Sequence, residues 1–211
     1  MTMTTADAQF YWANHHGGAA WIAEYRGTVD VASRQWALEA VRTFGLARSV
    51  LEIGCHCGPL LRQLAALPGI RDVYGLDINA EAVAAAREDG LTAIVGGVPE
   101  ALTRLSTRSI DVIVSSYCLA YVAPIDLPRT LGECLRIARM GLVLIEPSAG
   151  PGVDSAVFTD GKYVEWRHEY LDALARARRR MPIAPAVEVT RTRKSLDALN
   201  AIIVAKLNWP T

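Results

Sequence analysis

Val50-Leu51-Glu52-Ile53-Gly54-Cys55-His56-Cys57-Gly58-Pro59-Leu60 passes from a short β-branched and aliphatic run into a pair of spaced glycines. Beyond them Leu60, Leu61, Leu64, Ala65 and Leu67 recur at the spacing of a helix that buries one face. The pattern predicts strand, tight turn, helix. A glycine at the strand's C-terminal end lets the backbone turn sharply and lets a ligand approach the main chain. Glu52 places a carboxylate at the lip of the same turn. Nineteen residues after Gly58 a second apolar run, Val73-Tyr74-Gly75-Leu76, ends in Asp77. An acid at the tip of the second strand of a βαβ unit is well placed to accept hydrogen bonds from ribose hydroxyls.

The turn suits a phosphate badly. A dinucleotide site uses Gly-x-Gly-x-x-Gly to seat a pyrophosphate on a helix N-terminus. This turn has neither the second nor the third of those glycines, and Pro59 removes an amide donor from the first helical turn. A ligand without phosphate fits better.

Glu52-Ile53-Gly54-Cys55-His56-Cys57-Gly58, followed by the acid Asp77, resembles the class I S-adenosylmethionine-dependent methyltransferases. That family's first motif is acid-x-Gly-x-Gly-x-Gly, and His56 stands where the middle glycine is usual. The resemblance implies a Rossmann-like α/β three-layer sandwich. Its sheet is mostly parallel and seven-stranded, with an antiparallel C-terminal hairpin and an N-terminal helical cap. It implies S-adenosyl-L-methionine as cofactor and S-adenosyl-L-homocysteine as product. By the same resemblance Glu52, Gly54, His56 and Gly58 surround the methionine portion, Asp77 holds the ribose, Ile78 packs on the adenine and Val98 meets its edge. The family's adenine-binding acid falls at Gly97, so recognition there passes to the amides of Gly97 and Val98, with Glu100 a displaced substitute. The buried run Ile110–Ser116 resembles the family's fourth motif. Ser115 then offers its carbonyl to the ammonium group, and Ser115, Ser116 and Tyr117 lie beside the methyl group.

A chain of 211 residues is long enough for one domain with a large core and a small cap. The expected division is a helical cap at 1–45 and the cofactor-binding domain at 46–211. Net charge is zero, so nothing global points to nucleic acid or to an anionic membrane. No apolar run approaches the ~20 residues needed to span a bilayer. The polar N-terminus lacks the features of a signal peptide, and a cytoplasmic location is expected. Cys55, Cys57, Cys118 and Cys134 show no disulfide framework. Ligands at consecutive positions, as in Cys55-His56-Cys57, do not easily wrap a tetrahedral ion, so no metal is expected.

The leading segment holds Phe10, Tyr11, Trp12, Trp21, Tyr25, Trp36 and Phe44, nearly half of the aromatic residues, and so is not a disordered tail. Gly17-Gly18 breaks it, and Ser33 or Asp30 is placed to cap a helix carrying Trp36 to Phe44. In the resembled family such a segment folds over the cofactor; alternatively these aromatics simply cover a sheet edge. Farther on, Asn79 caps a helix running to Glu88 that Gly90 ends, and Leu91–Val95 is a third strand. A helix over Pro124–Arg139 precedes a strand, Gly141–Ile145, that ends in Glu146. Pro147–Asp154 is a long loop, and Lys162–Arg180 is read as a helix. Its terminal cations, with Arg191, Arg193 and Lys194, read first as a solvated helix end and second as a patch for RNA or an anionic partner. Val187–Thr190 and Ala201–Leu207 close the chain as strands.

The expected reaction is in-line displacement at the sulfonium methyl, in which the protein positions and desolvates. A general base titrating near neutrality comes from the histidines. His15 and His16 are first choice and His168 second, with Tyr117 or Tyr121 as orienting hydroxyls. The aromatic cap suggests a small, partly apolar acceptor with an O or N nucleophile, taken by a monomer or homodimer. The alternatives are an RNA or protein methyltransferase, or a non-catalytic S-adenosylmethionine-binding partner subunit.

Overall fold

The computed structural model describes residues 4–27, 31–149, 155–159, 164–193 and 200–210. Three helices come first: α1 (Thr5–Asn14), α2 (Ala19–Gly27) and α3 (Val31–Arg42). Alternating strands and helices follow: β1 (Ser49–Ile53), α4 (Pro59–Ala65), β2 (Asp72–Asp77), α5 (Ala80–Glu88), β3 (Thr92–Val95) and β4 (Ile110–Ser116). The remainder is α6 (Leu127–Ile137), β5 (Ala138–Pro147), β6 (Ser155–Thr159), β7 (Val164–His168), α7 (Tyr170–Arg179), β8 (Ala186–Arg193) and β9 (Asn200–Asn208).

Seven strands form one sheet in the order β3-β2-β1-β4-β5-β9-β8. The pairs from β3 through β5 are parallel, and β9 runs antiparallel to both β5 and β8. Side chains alternate across the sheet because successive residues of a strand face opposite ways. Val50, Val112, Val114, Val143 and Ile145 meet the leucines of α4 and the inner face of α3. Leu51, Ile53, Ile113, Leu142 and Leu144 meet α6 and α7. That gives three layers, with strands buried on both faces in the manner of parallel sheets. Glu52 shares the parity of Val50 and so turns toward the α3–α4 layer.

Local chemistry fixes the element ends. Thr4 and Asp7 form a reciprocal capping box at the start of α1. Asn79 caps α5 by accepting from the Ala82 amide at 3.0 Å.

Three expectations change. The helix before β5 is shorter than 124–139, because Ala138 already pairs with Ile110 in the sheet. The helix read over 162–180 begins only at Tyr170, with Glu169 capping it through the Leu171 amide. Val164, Trp166 and His168 are the buried positions of a strand, a period of two where a helix was expected, and β7 pairs with β6 in a separate hairpin. Lys162 and Tyr163 lie outside the described residues, as do Asp30, Asp154 and Lys194. Ser33 sits inside α3 and is buried, so it is not the cap of that helix. Among the described residues no helix is long and apolar enough to cross a membrane.

Candidate active site

The strand order reverses at β1, which lies between β2 and β4. Ligands of open α/β sheets bind off the carboxyl ends of strands at such a point. A cavity of about 460 Å³ lies there. Its floor comes from Glu52–His56, Asp77–Asn79 and Gly96–Val98, one side from Ser116–Cys118, Tyr121 and Val122, and its roof from α1, the turn after it, and α3.

The glycine turn is held by sterics more than by choice of ligand. Gly54 has φ 79° and donates its amide to the Leu76 carbonyl at 2.7 Å. A side chain there would run into Cys118 at 2.5 Å from its Cβ. Gly58, also at φ 79°, ends the turn as the N-cap of α4, and a Cβ would strike Leu91 Cδ1. His56 adopts φ 48°, a left-handed conformation that histidine enters more readily than most residues.

Two acids share the floor. The Asp77 carboxylate accepts from the His56 amide through Oδ2 and from the Asn79 amide through Oδ1, both at 2.8 Å. Burial pushes its pKa up while these amides pull it back. Glu52 is 4 % exposed, and its Oε2 is buried with no hydrogen-bond partner. Burial, helped by the nearby Asp77 charge, pushes the Glu52 carboxyl up to about 8; Arg34 and the Leu61 amide act the other way. An unpartnered buried carboxylate oxygen is costly unless a cation or donor completes it. Residues that offer two acids, no phosphate cradle and one orphaned acceptor fit an adenosyl sulfonium with an α-ammonium group.

Eleven of the fourteen residues singled out from the sequence lie on the cavity wall: His15, His16, Glu52, Gly54, His56, Asp77, Ile78, Gly97, Val98, Ser116 and Tyr117. Gly58, Ser115 and His168 do not. Gly58 is set back at the start of α4. Ser115 is wholly buried, with its hydroxyl donating to Glu146 Oε1 at 2.6 Å. His168 is 1 % exposed and its Nε2 donates to the Val122 carbonyl at 3.0 Å. It braces the Val122 wall from behind, turned inward by the strand β7 that carries it.

Three contributors escape a motif-based reading. Arg34, 7 % exposed, lines the cavity and donates to the Tyr25 carbonyl at 2.8 Å. Its spacing from Ala37 and Val41 places it on the buried face of α3, a signal readable in the sequence. Gln9 donates to the Val98 carbonyl at 2.7 Å, closing α1 onto the loop after β3. Glu146 is fully buried at the end of β5. Its Oε1 accepts from Ser115 Oγ and from the Cys118 and Leu119 amides, and Oε2 accepts from the Ala120 amide at 3.3 Å. Burial lifts its pKa to about 7 against those donors. It thus shapes the turn that presents Tyr117, held at φ 54°, and Tyr121 to the cavity. Glu146→Gln keeps the Oε1 acceptor but turns an NH2 toward the Ala120 amide. A stability loss of about 1–2 kcal/mol in chemical denaturation is expected.

Residues 50–141 match the family model of a methyltransferase domain. That match runs from β1 into β5, the part of the chain that carries the strands framing the cavity. No curated protein sequence matches this chain. Among solved structures it is similar to magnesium protoporphyrin IX methyltransferase from Synechocystis PCC 6803 with bound S-adenosylmethionine: 14 % identity, TM-score 0.60, 99 % of this chain and 98 % of that one. A Leishmania major S-adenosylmethionine-dependent methyltransferase aligns at 15 % identity, TM-score 0.67, over 97 % of this chain and 82 % of that one. The Haemonchus contortus phosphoethanolamine N-methyltransferase 2 aligns at 13 % identity, TM-score 0.68, over 96 % and 61 %. At these identities the likeness is one of fold, and the two acceptors named, magnesium protoporphyrin IX and a phosphoethanolamine, are unlike each other.

Proposed function

We propose that this protein binds S-adenosylmethionine and transfers its methyl group to an O or N nucleophile of a small, partly apolar acceptor. The observation that supports this is the composition of the cavity's far wall, where Trp12, His15, His16, Tyr117, Tyr121 and Val122 meet. Trp12 packs on Tyr121 with ring centroids 4.6 Å apart, and His16 on Trp21 at 4.0 Å. Apolar walls with a few polar tips select compact ligands by shape and orient them through those tips.

In this reading residues 1–45 are the cap and 46–211 the catalytic domain. Asp77 takes the ribose hydroxyls, Glu52 the α-ammonium, and Arg34 the carboxylate at the same end. Ile78, Gly97 and Val98 meet the adenine. The bound cofactor supplies the activated sulfonium methyl carbon; the chain's own residues hold the two reactants in line and exclude water. His15 serves as general base. Its Nδ1 donates to the Tyr11 carbonyl at 2.7 Å and its ring stacks on Tyr11 at 4.1 Å, which leaves Nε2 as the basic nitrogen. Tyr117 orients the acceptor.

The test is a transfer assay with methyl-labelled cofactor against metabolite extracts, with total RNA and total protein as parallel arms. Label in small molecules is expected; label confined to RNA or protein overturns the acceptor class. With an acceptor in hand, His15→Ala should lower kcat by roughly ten- to a hundredfold while leaving S-adenosylhomocysteine affinity within a factor of about three. An unchanged kcat would remove His15 from the mechanism.

A further inference from the structure

α1 ends without a glycine: its C-cap, His15, is extended (φ −125°), so its last carbonyls must find partners elsewhere. They find them on the floor of the cavity. Asn79 Nδ2 donates to the Trp12 carbonyl at 3.1 Å and to the His15 carbonyl at 2.8 Å. Its Oδ1 is already committed to capping α5, so the orientation of the amide is fixed. His56 Nε2 lies 2.7 Å from the His16 carbonyl. A carbonyl only accepts, so Nε2 carries the proton. The His56 ring stacks on Tyr25 of α2 at 4.1 Å. Both side chains are buried, Asn79 at 4 % and His56 at 9 % exposure.

These are the same two residues whose main-chain amides grip Asp77, one on each carboxylate oxygen. A single acid therefore organises two arms that rise from the floor and fasten the turn after α1. Gln9 on Val98 and Thr5, which accepts from the Ala123 amide at 2.9 Å and donates to Asp126 at 2.6 Å, hold the other edge of α1.

We propose that His56 and Asn79 are positioning residues that latch the turn at Trp12–His16 shut over Asp77, so that cofactor release requires the latch to break. The inference rests on Asp77 holding the cofactor. It gives a role to the histidine that replaces the family's middle glycine: that backbone position keeps its left-handed geometry and gains an arm.

The experiment measures release of S-adenosylhomocysteine from the full chain by stopped-flow, following the fluorescence of Trp12 and Trp21, alongside limited proteolysis and thermal unfolding. His56→Gly removes the arm and places a glycine where φ is positive, so the backbone gains freedom without strain. Asn79→Ser keeps an oxygen for the α5 cap but loses both lid donors. Each variant is expected to release S-adenosylhomocysteine at least tenfold faster. Each should also raise the cofactor KM more than it lowers kcat, and make residues 14–18 cleavable in the presence of ligand. The double variant should fall short of the product of the two effects, since both arms fasten one turn. Wild-type binding with unchanged release rates in His56→Gly overturns the latch alone. Absence of S-adenosylhomocysteine binding by the unaltered protein overturns the assignment of the site, and the latch with it.

Discussion

Asp77→Ala is expected to bind S-adenosylhomocysteine about a thousandfold more weakly than the parent. In the proposed reading the carboxylate takes two hydroxyl donors, and hydrogen bonds to a charged group contribute about 1.5–3 kcal/mol each. Two of them amount to about 4 kcal/mol, or roughly three decades in Kd. The same substitution leaves the His56 and Asn79 amides without their acceptor, so some loss belongs to the fold. Asp77→Asn separates the two: it keeps one oxygen for an amide and loses the charge, and should fall between parent and alanine in affinity while melting close to the parent. Calorimetric titration of all three proteins checks the series. A change of less than tenfold in the alanine variant would exclude Asp77 as the ribose acid.

The second large effect is on pH. Glu52 titrates at about 8 and Glu146 at about 7 in the folded protein, against 4.5 for an ordinary glutamate. Both hold their protons more tightly folded than unfolded. Their contribution to stability is therefore full below about 4.5 and is lost as pH rises through 7 and 8. Ligand-free protein should melt at steadily lower temperature across that window. Cofactor affinity moves the opposite way. Glu52 must ionise to meet an ammonium group, so binding expels a proton and Kd should tighten by up to tenfold per unit of pH until about 8. Titrations in buffers of different ionisation enthalpy would show the expelled proton directly. Glu52→Gln should bind about a hundredfold more weakly at pH 8 and show a nearly flat profile. A parent protein whose affinity does not change between pH 6 and 8 would contradict the role given to Glu52.

The turn from Glu52 to Gly58 and the acid at Asp77 were legible because they are local: strand, breaker and helix follow one another within a few residues, and sterics permit few alternatives. Both terminal strands were readable as apolar runs, while the mostly parallel sheet and its antiparallel closing pair came from the family resemblance. The β6–β7 hairpin was not legible. Trp166 packs inward with Ala8 of α1, more than a hundred residues away in sequence, and His168 is tied to Val122 in the turn at 119–123, 46 residues away. Glu146 illustrates the same limit. As a strand-ending acid it looks like Glu52, but its partners are amides of a turn whose shape no motif encodes. Arg34 was readable as a cation on the buried face of a helix, but only the fold shows that this face looks onto Glu52.

The placing of β9 between β5 and β8 sets an order on how the molecule is made. β8 leaves the ribosome first yet has no place in the sheet until residues 200–208 arrive to sit beside β5. Until then β5 presents a bare edge beside Leu142 and Leu144, the kind of edge that recruits other chains. The half of the cavity framed by β1, β2 and β3 draws the pairings among those strands from fewer than fifty consecutive residues and can mature early. The wall that Glu146 supports waits for Ala201 to pair across from it. A nascent chain thus completes the Asp77 side of the cavity before the side that carries Tyr117 and Tyr121.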